Sequence, residues 1–380
     1  MDECKPSPTH RLRAFLKRET LLLISVSAAL LSVAFVPPDR EYAAYIDWRV
    51  LSLLFCLMAV VAGITRAGLF HLLSCRLVSR VRGTRSLTLL LTLLCFFSSM
   101  LVTNDVALLT FVPFTILVLT LADQPGLLIP LVILETVAAN LGSMLTPVGN
   151  PQNLYLYAYY HLQPGGFYAV TLPLTGLSLL LVTGLALLTR NHTLTVALVD
   201  KPAGLQSRPR LCLHLGLFAL CLLTVIGLVP YPATLAAVLL CLLLFDRPVF
   251  SSVNYSLLLT FLGFFIFVGN LSRIDAVRES LADLITGREL PAAALLSQII
   301  SNVPAAVMLS SFTDNGPALL AGVNIGGLGT LVASLASLIS FRLYAAVPGA
   351  RPGRYLAAFT GVNLLLFTLL LAAACLLKIG

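Results

Sequence analysis

Charge is missing from long reaches of this sequence, and that limits what it can fold into. Runs of roughly 20 apolar residues, the length of helix that crosses a bilayer core, alternate with short segments that hold the Lys and Arg residues. Only 11% of residues are charged, against about 25% in a soluble domain. So few charges cannot coat a water-facing surface. A soluble enzyme, a secreted disulfide scaffold and a disordered chain are therefore excluded. The net charge of +8 does not point to nucleic acid, because the positive residues are confined to loops between apolar runs. Eight Cys are scattered without a CxxC or Cys/His pairing and read as small apolar fillers. The expected class is an all-α polytopic membrane protein, with the lipid bilayer as its solvent.

Full spans are expected at about 20–36, 47–64, 126–162, 168–189, 211–229, 232–245, 254–271, 317–341 and 355–377, the third and eighth of them interrupted. The first has a basic flank like a signal peptide but no small-residue cleavage site, so it reads as a span. Stretches 86–121 and 291–313 each carry a polar break near the middle. Charge counting leaves open whether each is a re-entrant hairpin or two full crossings. With the amino terminus in the cytoplasm, cytoplasmic segments hold 18 of the 24 Lys and Arg and outer segments hold 6. That bias predicts a cell (inner) membrane protein with its amino terminus inside and its carboxy terminus outside. The chain then divides into a cytoplasmic segment 1–19, a first membrane repeat 20–189, a cytoplasmic linker 190–210, a linking helix 211–231 and a second repeat 232–380. Stretches 66–85 and 273–288 read as interfacial helices. Trp48 fits an interface belt, and Tyr155, Tyr157, Tyr159 and Tyr160 fit either that belt or an outer vestibule.

An internal repeat divides the chain functionally. Segment 139–150 reads ANLGSMLTPVGN and segment 323–334 reads VNIGGLGTLVAS. At an offset of 184, Asn140 meets Asn324, Gly142 meets Gly326, Thr146 meets Thr330 and Val148 meets Val332. Upstream lie VTNDVALLTFVP and ISNVPAAVMLSS, related by an offset of 198. The predicted topology gives the two halves opposite orientation. Inverted repeats with broken helices put a solute site near the bilayer midplane. Gly142, Pro147, Gly149 and Pro151, and Gly322, Gly326, Gly327 and Gly329 in the other half, are expected to interrupt the helices. Asn140, Thr146, Asn150, Gln152 and Asn153 would partner the freed backbone. Tight helix packing alone accounts for small residues, but not for Asn, Thr and Pro together in both halves.

These segments carry a family resemblance. SMLVTNDVALLTFVP followed by ANLGSMLTPVGNPQNLYLY, and SNVPAAVML followed by GVNIGGLGTLVASLASLISF, resemble the Ion Transporter superfamily over roughly residues 20–377. That group includes divalent anion/sodium symporters, citrate and arsenite permeases and related antiporters. The resemblance implies a homodimeric secondary transporter of elevator type, each repeat giving one re-entrant hairpin and one broken helix. By position, it places hairpin tips at Thr103–Asn104–Asp105 and Ser301–Asn302–Val303, and unwound segments at 140–150 and 324–334. Solute-binding residues would be Thr103, Asn104, Ser301, Asn302, Asn140, Thr146, Asn150, Asn324 and Thr330, with Asp105, Gly142 and Gly326 at the coupling ion. Dicarboxylate symporters of the group usually read Ser-Asn-Thr at both tips. Here they read Thr-Asn-Asp and Ser-Asn-Val, a departure that speaks against carrying over the dicarboxylate and the two-sodium arrangement.

Of 16 acidic residues only Asp105 and Glu135 fall inside apolar segments. A carboxylate there must be protonated, paired or ion-bound. Asp105 reads as a cation ligand, a proton carrier or a helix cap. Glu135 reads as functional or as a neutral acid bonded to a neighbouring helix. His161 and His214 read as interfacial or packing residues. An anion can be held without Lys or Arg by helix amino termini, each carrying about half a positive charge. No HExxH motif, P-loop or catalytic acid pair is present, so neither an enzyme nor an ATP-driven pump is expected. The expected function is ion-coupled movement of a small anion, a carboxylate or oxyanion, with Na+ or H+ as coupling ion and no organic cofactor. The alternative is a cation/proton antiporter using Asp105.

Overall fold

The computed structural model describes residues 19–79, 81–194 and 207–379. The amino-terminal segment 1–19, apart from Glu19, and residues 195–206 of the linker 190–210 lie outside the described residues. The described chain is helical, with a single isolated bridge between Gly83 and Thr193. Its first half contains α1 (Thr20–Val33), α2 (Trp48–Arg66), α3 (Leu69–Val78), α4 (Thr84–Val102), α5 (Asn104–Leu121), α6 (Leu128–Ser143), α7 (Pro151–Tyr159) and α8 (Pro164–Leu187). The second contains α9 (Arg208–Val225), α10 (Tyr231–Phe245), α11 (Tyr255–Ser272), α12 (Asp275–Ile285), α13 (Glu289–Ile300), α14 (Asn302–Ser310), α15 (Gly316–Gly326), α16 (Leu335–Ala345) and α17 (Pro352–Leu376).

Local sequence sets where these helices begin. The Asp47 carboxylate accepts from the Val50 amide at 2.9 Å and opens α2, while Asn150, Asn254 and Asn315 cap α7, α11 and α15 in the same way. Pro151, Pro164 and Pro352 occupy first helical positions, where no amide is needed. Among the described residues eight helices are long and apolar enough to cross a membrane, with α2 and α6 each counted together with the short turn before it. The expected spans at 20–36 and 232–245 are shorter, with helices of 14 and 15 residues. The interfacial stretches hold α3 and α12. Outward apolar side chains such as Leu180, Leu240 and Leu365 are exposed, as on helices whose outer faces meet lipid.

The series α2–α8 and α11–α17 repeat one order: long helix, short helix, two limbs of a hairpin, two parts of a broken helix, long helix. α4 packs on α6, and its counterpart α13 packs on α15. Across the halves, α5 packs on α16 and α14 packs on α7. α1 packs against α11, and α9 and α10 pack against α2. The hairpins and broken helices thus form one interlocked body with the long helices around it.

Candidate functional site

The breaks are shorter than the sequence suggests. α6 stays helical to Ser143 and α15 to Gly326, so the non-helical parts are 144–150 and 327–334. Asn140 and Asn324 therefore stand in the last helical turns, not in unwound chain. Gly142 and Gly326 are helical too, and what they permit is contact. A Cβ on Gly142 would lie 2.1 Å from the Phe96 carbonyl oxygen, and one on Gly326 would lie 2.6 Å from Ser297 Oγ. Both hairpin tips adopt the same uncommon backbone, φ 69° and ψ 150° at Thr103 and φ 78° and ψ 155° at Ser301. Positive φ outside glycine stores strain, which concentrates at functional turns.

The sequence offsets recur as hydrogen bonds. The Asn104 amide donates to the Gly149 carbonyl at 3.2 Å, and the Asn302 amide donates to the Ala333 carbonyl at 2.9 Å. The Thr146 hydroxyl donates to the Met100 carbonyl, and the Thr330 hydroxyl donates to the Gln298 carbonyl at 2.9 Å. In each pair the tip residues differ by 198 and the break residues by 184. These bonds tie each hairpin tip to the break of its own half. Thr146 and Thr330, expected as solute ligands, have hydroxyls committed to this latch, and Thr330 is exposed.

A second set of bonds joins the halves. Asn140 Oδ1 accepts from Asn104 Nδ2 and from Ser334 Oγ, both at 3.0 Å, while Asn140 Nδ2 donates to Ser337 Oγ at 3.2 Å. Asn324 Oδ1 accepts from Asn150 Nδ2 at 3.1 Å, and Asn324 Nδ2 donates to Asn153 Oδ1 at 2.7 Å. The plan is reciprocal: each half's helix-end Asn bonds the first turn of the other half's distal helix. Asn302 joins this cluster through Ala333 and lies against Gly327, where a Cβ would come 2.9 Å from Asn302 Nδ2. Asn104, Asn140, Asn302 and Asn324 thus meet at one buried junction. Ser334 and Ser337 escaped the sequence reading, although they are the 184-offset mates of Asn150 and Asn153.

Eight helix ends converge there. α5, α7, α14 and α16 present amino termini, and α4, α6, α13 and α15 present carboxy termini. Amide ends favour negative charge and carbonyl ends positive charge. Some polar groups at the junction are unengaged. The Thr103 hydroxyl, Asn302 Nδ2, the Gln152 amide and the Asp105 carboxylate make no hydrogen bond among the described residues. Asp105 stands in the first turn of α5 without capping it, and its own amide donates to Asn104 Oδ1 at 3.0 Å. Among the described residues no group of three His, Cys, Asp or Glu could hold a metal ion.

Other polar features lie away from the junction. Glu135 is fully buried, with Oε1 accepting from Thr115 Oγ1 at 2.5 Å. His214 is buried in α9, 3.0 Å from Asp246 Oδ2 past the end of α10, and its ring fills the space over Gly63. The structure therefore makes His214 a packing residue, and it buries Asp246 and Glu289 at segment ends as well. Tyr155 and Tyr157 are buried, with Tyr155 Oη 2.7 Å from Ser310 Oγ. Tyr159, Tyr160, His161, Arg278 and Asp314 line a cavity of about 640 Å³ at the far ends of α7 and α14.

The family described as citrate transporter matches residues 14–326. An uncharacterized transporter of Methanocaldococcus jannaschii is 32% identical over 88% of this chain and 91% of its own length. Inner membrane protein YbiR of Escherichia coli is 34% identical over 86% of this chain and 87% of its own. A silicon efflux transporter of Oryza sativa is 36% identical over 34% of this chain and 26% of its own.

Proposed function

The chain belongs to the citrate transporter family, a family of membrane transporters and not enzymes, and from that premise we propose that it moves a small anion, a carboxylate or oxyanion, by secondary active transport coupled to a sodium or proton gradient. The observation that carries this reading is the cross-half junction. It holds four helix amino termini and no Lys or Arg, beside unengaged neutral donors at Thr103, Asn302 and Gln152. Amide ends attract an anion without a fixed cationic clamp. The four carbonyl ends and the free Asp105 carboxylate suit a cation bound beside it. A site so built holds the anion without a permanent cationic side chain, and it can release it.

Alternating access of elevator type accords with the packing, in which hairpins and broken helices interlock and α1, α2, α9, α10 and α11 pack among themselves. The mobile body would be the first group, and a homodimer would be held by the second. An amino terminus in the cytoplasm and a carboxy terminus outside follow from the distribution of Lys and Arg. The name of the E. coli relative supports an inner-membrane location for this chain. Uptake of labelled citrate into proteoliposomes, with sodium and proton gradients imposed separately, tests the function. Accumulation above protein-free liposomes under one gradient is expected. Cation exchange with no anion moved under either gradient would replace this reading with the antiporter.

A further inference from the structure

We propose that Glu135 is the proton-binding residue of this transporter, a neutral carboxylic acid in the present conformation that takes up and releases one proton per cycle. The inference rests on the transport reading above and deepens it by naming the coupling ion and its carrier. Glu135 is 0% exposed. A single hydroxyl, that of Thr115 on α5, donates to Oε1, while Oε2 is buried with no partner among the described residues. Among the described residues Cys95 on α4 and Tyr355 on α17 are the titratable side chains that face it, and no cation does. A lone carboxylate in that setting costs far more than a neutral acid. The side chain therefore holds its proton here.

Position turns a buried acid into a coupling site. Glu135 precedes Asn140 by five residues on α6, about 7.5 Å along the helix, so it sits just behind the junction. Thr136 beside it donates to the Val132 carbonyl at 2.6 Å and lies 2.8 Å from Ser340 Oγ of α16, and Ser340 lies 3.4 Å from Tyr355 Oη. This hydroxyl ladder crosses from the first half to the second. The second half has no copy of it, since Glu135, Thr136 and Ser340 correspond at the 184 offset to Leu319, Leu320 and Leu156. A purely architectural polar layer would be expected in both copies, as the bonds from Asn140 and Asn324 to the opposite half are. A shift of α5 against α6 admits water to Oε2. The proton then leaves to water, and the carboxylate is discharged again by a proton from the opposite side.

Infrared spectroscopy of the full-length protein in lipid, without solute, tests the proton directly. At neutral pH the wild type should show the C=O stretch of a neutral carboxylic acid. That band should vanish in Glu135→Gln and persist in Asp105→Asn. Superimposable wild-type and Glu135→Gln spectra would overturn the proposal. In proteoliposomes with labelled citrate as probe, accumulation driven by a pH gradient should drop to the protein-free level in Glu135→Gln and return in part in Glu135→Asp. Wild-type accumulation by Glu135→Gln would also overturn it. If the wild type moves no citrate, the transport reading fails on that solute, while the infrared result still decides whether Glu135 carries a proton.

Discussion

At the junction the two halves share one bonding plan. The Asn104 and Asn302 amides, the Thr146 and Thr330 hydroxyls, and the Asn140 and Asn324 side chains make corresponding bonds. Away from the junction they part. Asp105 and Glu135 of the first half correspond to Val303 and Leu319 of the second. The first hairpin has limbs of 19 and 18 residues, each long enough to span a bilayer, and the second has limbs of 12 and 9. The shared bonds gather helix ends and backbone amides, which a solute site needs from both copies. The acids are confined to one copy. On the proposed transport reading the halves divide the work: both would build the cradle, and the first would supply Asp105 and Glu135.

The largest effects should come from removing one helix-end Asn at a time. Asn140→Ala and Asn324→Ala should each abolish transport. Each should also destabilise by roughly 1–3 kcal/mol for every buried partner left unsatisfied, read as thermal unfolding in detergent. A large loss from one and none from the other would dissolve the symmetry. Gly142→Ala and Gly326→Ala come next, at about 1–3 kcal/mol of overpacking each. Gly142→Ala should cost more, because its new Cβ meets a backbone carbonyl where the other meets a serine side chain. Asp105→Asn should remove the cation dependence of uptake while leaving the unfolding temperature in place, since no bond is made to its carboxylate. Thr146→Val and Thr330→Val should each lose about 0.5–1.5 kcal/mol, less at exposed Thr330.

The smallest effect concerns a surface link between the halves. Arg273, past the end of α11, donates to Asp39 at 2.7 Å in the loop before α2, and its guanidinium holds the Asp39 carboxyl below the usual range. A carboxyl whose proton affinity is lowered by folding stabilises above its unfolded pKa, about 3.9 for Asp, and loses that contribution as pH falls through the lower folded value. Arg273→Gln should therefore slightly flatten the acid limb of the stability profile, and leave stability near neutral pH little changed because the pair is exposed.

Most of the architecture was legible in the sequence, because apolar runs of helical length, Pro at helix starts and the 184 and 198 offsets are local signals. The order of the helices, the place of the two breaks and the four Asn that meet there follow from them, although the breaks are shorter than expected. What could not be read locally was how each polar group is used. Thr146 and Asn140 look alike as polar residues beside a break, yet one latches its own hairpin and the other bridges to the opposite half. Gly142 reads as a helix breaker until Phe96 is seen against it. Ser334 and Ser337 look like ordinary small residues until Asn140 is found between them. Such roles depend on contacts between residues 46 to 197 positions apart, which composition and period do not encode.

The central claim is that the solute binds where the two halves meet, and Asn302 tests it best, because its Nδ2 is unengaged at the junction and its loss should leave the fold intact. Thermal unfolding of the purified protein with citrate, sulfate and arsenite, each with and without sodium, measures binding as a rise in stability. A rise is expected with at least one of these anions in the wild type, and its loss in Asn302→Ala, with the unfolding temperature without solute unchanged. An undiminished rise in Asn302→Ala would contradict it.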